Sequence, residues 1–314
     1  MTSSSKRTSA LLLNLLTPIL LLPAARAFIL PDVMPVTLEQ IVAHTRKKVA
    51  EWKRSTDYRE IERLAETRLP KDFREALVRA SGRGPAIIAE LKKASPSRGV
   101  IRGTLHVAAL ASGFEEAGAA ALSVLTEEEY FQGSIANLYE AAAATKLPCL
   151  RKDFIVDRIQ ILESKAAGAD AMLLIVGALT ASEFTHLYGQ AQEIGLQTLC
   201  EVHDEKELEL AAAVGAKLIG VNSRDLHTFQ VDLETALRLA PKLPRGAVRI
   251  AESGINTGAD IRKLREAGYQ AFLVGESLMR AESPEEELRR LIAEAKAPPL
   301  GSVGVATLGA GTKD

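Results

Sequence analysis

"KAAGADAMLLIV", residues 165–176, contains the pattern that decides the fold of this chain. A stretch with helical character ends at Gly168, and an apolar run follows at once. Glycine just past a helix can adopt the left-handed conformation that caps the helix. The apolar run after it is typical of a strand that is buried on both faces of a parallel sheet. The stretch therefore predicts a helix, a capping glycine and a buried strand in succession.

The same pattern recurs in four other stretches, "EEAGAAALSVL", "QEIGLQTLCEV", "AAVGAKLIGV" and "REAGYQAFLVG". Eight alternating strands and helices predict a closed (β/α)8 TIM barrel in the α/β class. A doubly wound open sheet is the alternative, but no G-x-G-x-x-G turn follows the first strand. With the remaining units filled in, the predicted strands are 86–91, 120–125, 148–152, 171–176, 197–202, 217–221, 248–252 and 271–275.

Composition is consistent with one enzyme-sized barrel. The 314 residues are 47% hydrophobic and carry a formal net charge of −1. Lysine and arginine are scattered along the chain, which argues against a nucleic-acid-binding face. Cys149 and Cys200 lie in apolar runs, and the five histidines show no ligand spacing near them, so we expect no metal site.

The first 33 residues do not fit the barrel pattern. Lys6 and Arg7 precede an apolar stretch that ends in the small-residue sequence 25–27, so segment 1–27 resembles a secretory or organelle-targeting signal. The stretch is too short and too interrupted by proline to be a convincing membrane span. The other interpretation, which we favour, is that translation starts at or near Met34 and that the protein is cytoplasmic.

Residues 34–296 are predicted to form the barrel together with N-terminal helices. Thr37 and Gln40 have the spacing of a capping box, so a helix is expected to begin there. We expect the helical region 37–80 to pack on the barrel as an extension of it. Residues 1–33, as a leader or an over-long start, and the Gly- and Pro-rich tail 297–314 are predicted to be disordered.

Polar residues follow nearly every predicted strand, at the end where TIM barrels carry their active sites. In the first strand Glu90 and Lys92 lie two positions apart, so both should face the barrel interior while Lys93 does not. Burying many charges without partners is costly, so these side chains must pair with one another or with a charged ligand. The other strand-end residues are Lys152, Glu201, Asn222, Arg224, Glu252, Ser253, Gly254, Gly275 and Glu276.

The loops after the seventh and eighth strands indicate an anion site. TIM barrels often bind phosphate there through backbone N–H groups and a short helix N-terminus. Ser95, Ser97 and Arg98 in the first loop could complete that site. A carboxylate at Glu276 would repel phosphate if it faced the site, so we expect this side chain to point outward and only its backbone N–H to be used.

At these residues the sequence resembles the indole-3-glycerol-phosphate synthase family, (β/α)8 enzymes of tryptophan biosynthesis. The resemblance runs from about residue 36 to 292 and rests on six stretches in the family's order. They are "IIAELKKASPSRGVI", "LSVLTEEEYFQGS", "PCLRKDFIVDRIQILESKAAGADAMLLI", "EVHDEKELELA", "IGVNSRDLHTFQVDLETA" and "AESGI" with "LVGESLM".

The resemblance implies a carbon–carbon lyase that needs no cofactor. Such an enzyme converts 1-(2-carboxyphenylamino)-1-deoxyribulose 5-phosphate into indole-3-glycerol phosphate, carbon dioxide and water. By resemblance, Lys152 is the general acid of ring closure, and Lys92 holds the anthranilate carboxylate. Glu90 and Glu201 match the acid–base and charge-stabilising glutamates, and Asn222 matches a residue that orients the sugar hydroxyls. We expect burial and a neighbouring lysine to lower the pKa of Lys152 into a usable range.

Substrate-binding residues follow from the same resemblance. Phe131 matches an aromatic residue over the substrate ring, with Phe154 nearby, and Arg224 matches an active-site arginine. The phosphate is expected at Ser95, Ser253, Gly254, Gly275 and the backbone of Glu276, and Glu252 and Leu273 complete the substrate-binding set. The expected partner is a phosphorylated small molecule rather than nucleic acid or membrane. The chain is expected to be a monomer or weak oligomer, and contact with other tryptophan-pathway enzymes is left open.

Three other functions fit parts of the pattern. A Schiff-base aldolase on the same fold would use Lys152 as its amine nucleophile. A phosphoribosylanthranilate isomerase would need a cysteine and an aspartate as its acid–base pair and leaves "ELKKASPS" unexplained. A non-catalytic phosphate-binding barrel is disfavoured because all the acid–base positions are occupied by suitable residues.

Overall fold

The strands of this chain close into a barrel. A computed structural model describes residues 36–297 except positions 56, 226, 227 and 229. The predicted leader, the start at Met34 and the predicted tail from residue 298 onward lie outside the described residues. The barrel strands are β1 (Ala86–Leu91), β2 (Ala121–Leu125), β3 (Cys149–Lys152), β4 (Ala171–Ile175), β5 (Gln197–Val202), β6 (Leu218–Asn222), β7 (Val248–Glu252) and β8 (Ala271–Val274).

All eight strands are parallel, and each pairs with its neighbours in sequence, with β1 closing the ring against β8. The predicted TIM barrel is therefore confirmed, and every predicted strand boundary lies within one residue of the observed one. The open-sheet alternative is wrong, because β1 and β8 pair with each other and an open sheet has no such closing pair.

Helices alternate with the strands, and three of them precede β1. The five glycines of the recurring pattern all have positive φ, between 71° and 108°, as helix-capping glycines do. The helices are α1 (Leu38–Ser55), α2 (Tyr58–Thr67), α3 (Phe73–Ser81), α4 (Val107–Ala117), α5 (Ile135–Ala144), α6 (Arg158–Ala166), α7 (Ala181–Glu193), α8 (Glu205–Ala213), α9 (Glu234–Leu239), α10 (Gly258–Glu266), α11 (Glu276–Arg280) and α12 (Pro284–Lys296).

The helices before β1 pack on the barrel, as expected for an extension. Thr37 and Gln40 form the predicted capping box at the start of α1, through backbone-to-side-chain bonds of 3.0 and 3.4 Å. In α3, Phe73 and Leu77 are fully buried and pack with residues at the N-terminal ends of the strands. Burying such side chains contributes about 1.5–3 kcal/mol each. The N-terminal end of the barrel is therefore closed by α3, which leaves the opposite end for a site.

Two apolar layers hold the barrel together. One lies between strands and surrounding helices, and the other fills the barrel interior with small and branched side chains such as Ile88, Leu150 and Ile250. Within the described part of the chain, no helix combines the length and apolar composition needed to cross a bilayer.

Candidate active site

A cavity of about 540 Å³ opens at the C-terminal ends of the barrel strands. Leu38 and Ile41 of α1 form part of its wall, so the N-terminal extension contributes to the site. All the predicted site residues line this cavity except Ser95 and Ser97. Those that line it are Glu90, Lys92, Arg98, Phe131, Lys152, Phe154, Glu201, Asn222, Arg224, Glu252, Ser253, Gly254, Leu273, Gly275 and Glu276.

Four charged side chains form the floor of the cavity, and they come from the four odd-numbered strands. They are Glu90 on β1, Lys152 on β3, Glu201 on β5 and Glu252 on β7. Alternate strands of a TIM barrel contribute the side chains of one interior layer. In this barrel the uppermost layer is thus built from one lysine and three glutamates instead of aliphatic residues.

The lysine of this layer is held by carboxylates. Lys152 Nζ lies 2.7 Å from Glu201 Oε2 and 3.4 Å from Glu252 Oε2. Burial alone would lower the pKa of Lys152, but the charges of Glu201, Glu252 and Glu90 outweigh it and raise the pKa well above that of an ordinary lysine. The expectation of a lowered pKa is wrong for the free protein, because carboxylates rather than a second lysine surround the ammonium group. Lys152 therefore stays protonated, which is the state that a general acid requires.

Glu201 is held between two cations. One of its oxygens accepts the hydrogen bond from Lys152, and the other lies 3.5 Å from His203 Nε2. Burial raises the pKa of Glu201, but Lys152 and His203 outweigh burial and hold it well below its usual value. His203 in turn lies 3.0 Å from Glu207, and hydrogen bonds to the two carboxylates raise its pKa to about 10 against the effect of burial. Glu201 is thus kept ionised.

Glu252, in contrast, is kept in its neutral form. Its side chain is almost fully buried, and neither of its oxygens accepts a hydrogen bond within the described part of the chain. Burial, together with the nearby charges of Glu201 and Glu90, raises the pKa of Glu252 to about 8 although Lys152 lowers it. A protonated Glu252 can donate a hydrogen bond to Glu201. Near pH 7, Glu201 is therefore ionised and Glu252 is neutral.

Two glycines make room for the carboxylates. A Cβ at Gly275 would clash with Glu90 Oε1, and a Cβ at Gly220 would clash with Glu252 Oε1. Glu90 forms an ion pair with Lys92, 2.7 Å from Oε1 to Nζ. Lys92 lines the cavity, while Lys93 is not among the lining residues, as the alternation of the strand predicts.

The aromatic wall of the cavity is formed by Phe131 and Phe154, whose ring centroids are 6.0 Å apart. Phe131 lies in the loop after β2, which is tied to the buried carboxylate of Glu127. That carboxylate accepts hydrogen bonds of 2.7–3.1 Å from the backbone N–H groups of Glu129, Tyr130 and Phe131. The loop is therefore preorganised.

Most residues that were predicted to bind an anion lie on the wall formed by β6, β7 and β8. Asn222 Oδ1 accepts a 3.0 Å hydrogen bond from the backbone N–H of Arg224, which turns the loop after β6 toward the cavity. Ser253 and Gly254 follow β7 with φ of 64° and 78°. A serine with positive φ is uncommon and marks a backbone shaped by its surroundings.

Two expectations for this wall are not met. Ser95 lies in a short antiparallel hairpin, Ala94–Ser95 with Gly99–Val100, and it is Arg98 from the tip of that hairpin that lines the cavity. Glu276 does not point outward. Its carboxylate lies 3.1 Å from Arg98 Nε and 3.4 Å from Arg224 Nη2, because these cations attract it toward the cavity.

Some participating residues were missed from the sequence. Gly220, His203 and Glu127 support the charged layer and the aromatic loop without standing out as site residues. A glycine inside an otherwise apolar strand, as at Gly220, is a usable signal for close approach by another group. No cluster of three or more His, Cys, Asp or Glu side chains suited to a metal occurs among the described residues.

Comparisons with known proteins bear on what this cavity does. The sequence model of the family described as "Indole-3-glycerol phosphate synthase" matches residues 38–291. The protein of that name from Koribacter versatilis (strain Ellin345) is 53% identical over 259 residues, which span 82% of this chain and 100% of the relative.

Solved structures share the fold at low identity. A 3-hexulose-6-phosphate synthase from Salmonella typhimurium has a TM-score of 0.53 and 15% identity, covering 67% of this chain and 97% of that one. Thiamine phosphate pyrophosphorylase from Pyrococcus furiosus has a TM-score of 0.51 and 17% identity, covering 69% and 99%. Because the family match spans nearly the whole barrel and the Koribacter relative is matched end to end, the chain belongs to the indole-3-glycerol phosphate synthase family, the carboxy-lyases of tryptophan biosynthesis.

Proposed function

We propose that the cavity closes the indole ring of 1-(2-carboxyphenylamino)-1-deoxyribulose 5-phosphate through acid–base catalysis by the charged layer, without a cofactor. The observation that carries the proposal is the position of Lys152, whose ammonium group is 2.7 Å from Glu201 and 3.4 Å from Glu252 inside the cavity. A permanently charged proton donor with carboxylates beside it suits a reaction that builds negative charge on a ketone oxygen and then positive charge on nitrogen.

Ring closure is the first step. The aromatic carbon that bears the carboxylate attacks the ketone carbon, and electrons move onto the ketone oxygen. Lys152 protonates that oxygen as the new carbon–carbon bond forms. A raised pKa does not prevent this transfer, because an alkoxide is a far stronger base than a lysine amine. A correctly placed acid contributes about 10²–10⁴-fold to the rate.

Decarboxylation follows from the charge that ring closure leaves behind. Attack by the aromatic ring produces an iminium cation, which the ionised Glu201 stabilises electrostatically together with the Glu90 side chain that pairs with Lys92. Loss of carbon dioxide returns the electron pair of the broken carbon–carbon bond to this cation and restores the nitrogen lone pair. No external oxidant or reductant is required.

Dehydration completes the indole. A base must remove a proton from the adjacent carbon while an acid helps the hydroxyl group to leave as water. The Glu90–Lys92 pair provides both functions, because its carboxylate and ammonium group are 2.7 Å apart and both face the cavity. Glu90 therefore acts as the base and Lys92 as the acid. Lys92 also holds the substrate carboxylate before it is lost.

The two ends of the substrate fit opposite walls of the barrel mouth. Phe131 and Phe154 follow β2 and β3, whereas Arg224 and Ser253 follow β6 and β7, on the other side of the ring of strands. The aromatic ring packs on the phenylalanines, and the phosphate binds near Arg98, Arg224, Ser253, Gly254 and Gly275. Asn222 orients the sugar hydroxyls between them, and Leu273 adds apolar contact.

The test replaces the proposed acid. Lys152→Met removes the ammonium group but keeps most of the side-chain volume, so indole fluorescence should not develop when the variant receives the ribulose phosphate. Calorimetry should still detect substrate binding, since the phosphate and aromatic walls are intact. Normal indole formation by Lys152→Met would refute the assignment. The same substitution at an exposed lysine after α5, Lys146→Met, is the matched control and should keep full activity.

The Lys152 variant also separates ring closure from Schiff-base chemistry. An aldolase lysine must be a neutral amine to attack a carbonyl carbon, whereas the three carboxylates raise the pKa of Lys152. Borohydride added to wild-type protein with substrate should therefore trap no covalent adduct. A mass increase that appears in wild type and is lost in Lys152→Met would favour the aldolase instead.

Location and assembly are further parts of the proposal. We infer a cytoplasmic protein that acts as a monomer or weak oligomer.

A further inference from the structure

The carboxylate of Glu276 lies among three arginines. Its Oε1 is 3.1 Å from Arg98 Nε and 3.2 Å from Arg280 Nε, and its Oε2 is 3.4 Å from Arg224 Nη2. Arg98 and Arg224 come from the loops after β1 and β6, and both line the cavity. A carboxylate of the protein thus lies where two cationic side chains of the proposed phosphate wall converge.

We propose that Glu276 is a resident anion that competes with the substrate's phosphate for Arg98 and Arg224, and so weakens phosphate binding. This inference rests on the proposed function. Two anions that use the same guanidinium groups repel each other and cannot both keep the same hydrogen-bond donors. Phosphate binding therefore requires the Glu276 carboxylate to turn away from the two cavity arginines.

The structure provides a second partner for the displaced carboxylate. Arg280 lies one helical turn after Glu276 on α11, its side chain is 53% exposed, and it is not among the cavity-lining residues. Residues four apart on a helix are neighbours on its surface. Glu276 can therefore keep its contact with Arg280 when phosphate takes the other two arginines, so displacement does not leave a carboxylate unpaired.

Competition of this kind has a consequence for turnover. The phosphate group is present in both the substrate and the product, so tight phosphate binding would slow the release of product as well as strengthen the binding of substrate. A resident carboxylate weakens the binding of substrate and the binding of product by the same factor, and it does not contact the reacting atoms. Glu276 is thus a residue that sets affinity rather than a catalytic residue.

The experiment measures phosphate binding directly. Inorganic phosphate is titrated by calorimetry into the full chain and into Glu276→Gln at one fixed ionic strength, and its inhibition constant against the substrate is determined in parallel. We expect Glu276→Gln to lower both the dissociation constant and the inhibition constant of phosphate about three- to tenfold. This range is in line with the loss of two partly exposed competing ion pairs. Glu276→Asp, which keeps the charge, should stay within about twofold of wild type.

Controls separate this effect from a general change in charge. Glu282→Gln removes an exposed carboxylate just after α11 and should leave both constants unchanged. Arg224→Gln should weaken phosphate binding in either background. An unchanged or weaker affinity in Glu276→Gln would overturn the inference and show that the carboxylate positions the arginines for phosphate. Indole formation by the wild-type chain reports on the proposed function independently of these titrations.

Discussion

Two buried glutamates beside one lysine have opposite pKa shifts. Both Glu201 and Glu252 are desolvated, which raises the pKa of a carboxyl group. Glu201 also has His203 as a second cationic neighbour, 3.5 Å away, and the two cations together reverse the effect of burial. Glu252 has the longer contact to Lys152 and the repulsion of Glu201. When the environments of two similar groups push their pKa values apart in this way, one group takes the ionised role and the other takes the neutral role.

This pair predicts an alkaline limb in the pH profile. A pKa raised to about 8 means that Glu252 keeps its proton below pH 8 and loses it above. A further ionised carboxylate then faces a substrate that itself carries a carboxylate and a phosphate, so kcat/KM should fall as the pH rises through about 8. Lys152 and His203, whose pKa values are raised, remain charged over this interval. The measurement is kcat/KM from pH 7 to 9.

Glu252→Gln tests the assignment of that limb. Glutamine has nearly the same shape but cannot ionise, so the variant should show a flat profile between pH 7 and 9 whatever its absolute rate. Glu128→Gln alters an exposed carboxylate that pairs with Lys48 near the barrel rim and should keep the wild-type limb. An undiminished limb in Glu252→Gln would assign the titration to another group.

At the scale of single elements, Gly220 in β6 leaves space for a side chain of the neighbouring strand β7. A Cβ at Gly220 would clash with Glu252 Oε1 and would lie 3.2 Å from Leu199 Cδ1. The φ of Gly220 is not positive, so alanine fits the backbone and only crowding opposes it. The carboxylate of Glu252 would have to move from its place beside Lys152.

Gly220→Ala should therefore harm catalysis more than folding. A displacement of about 1 Å in a catalytic constellation can cost about 10²-fold in rate, whereas overpacking a core typically costs about 1–3 kcal/mol. We expect kcat/KM to fall about 10²-fold while circular dichroism stays native. Gly189→Ala is the matched control, because Gly189 lies in α7 with open space around its Cβ position. Equal activity of the two variants would show that Glu252 tolerates the shift.

The strands and their closure into a barrel were predictable from the sequence, whereas the side-chain contacts across the barrel were not. A strand such as β1, buried along its whole length, appears in the sequence as a continuous apolar run bounded by polar residues. Alternation also gives the face of Glu90 and Lys92. It does not give the partner across the barrel. The carboxylates around Lys152 come from three different strands, and the arginines that draw Glu276 inward come from two different loops. These groups meet only after the ring of strands has closed.

At the scale of the whole molecule, the site and the stability of the barrel are separated. The charged layer lies at the C-terminal ends of the strands, while α3 and the segment before it are joined to the N-terminal ends. Asp170, which directly precedes β4 and is fully buried, makes that connection. It accepts hydrogen bonds from Arg68 Nη2 at 2.7 Å and from the backbone N–H groups of Lys71 and Cys149 at 2.8 Å each.

Asp170→Ala should consequently lower stability without changing the chemistry. The variant leaves a partly buried guanidinium group and two backbone N–H groups without their shared acceptor, and breaking such a buried pair costs about 3–5 kcal/mol. For a chain of this size that corresponds to a fall in Tm of roughly 5–9 °C, measured by calorimetry at one scan rate. Glu60→Ala removes an exposed ion pair on α2 and should leave Tm unchanged. Because Asp170 lies at the end of the barrel opposite the cavity, kcat/KM at 25 °C should match wild type, and a parallel loss of activity in the folded variant would show that the two ends are coupled.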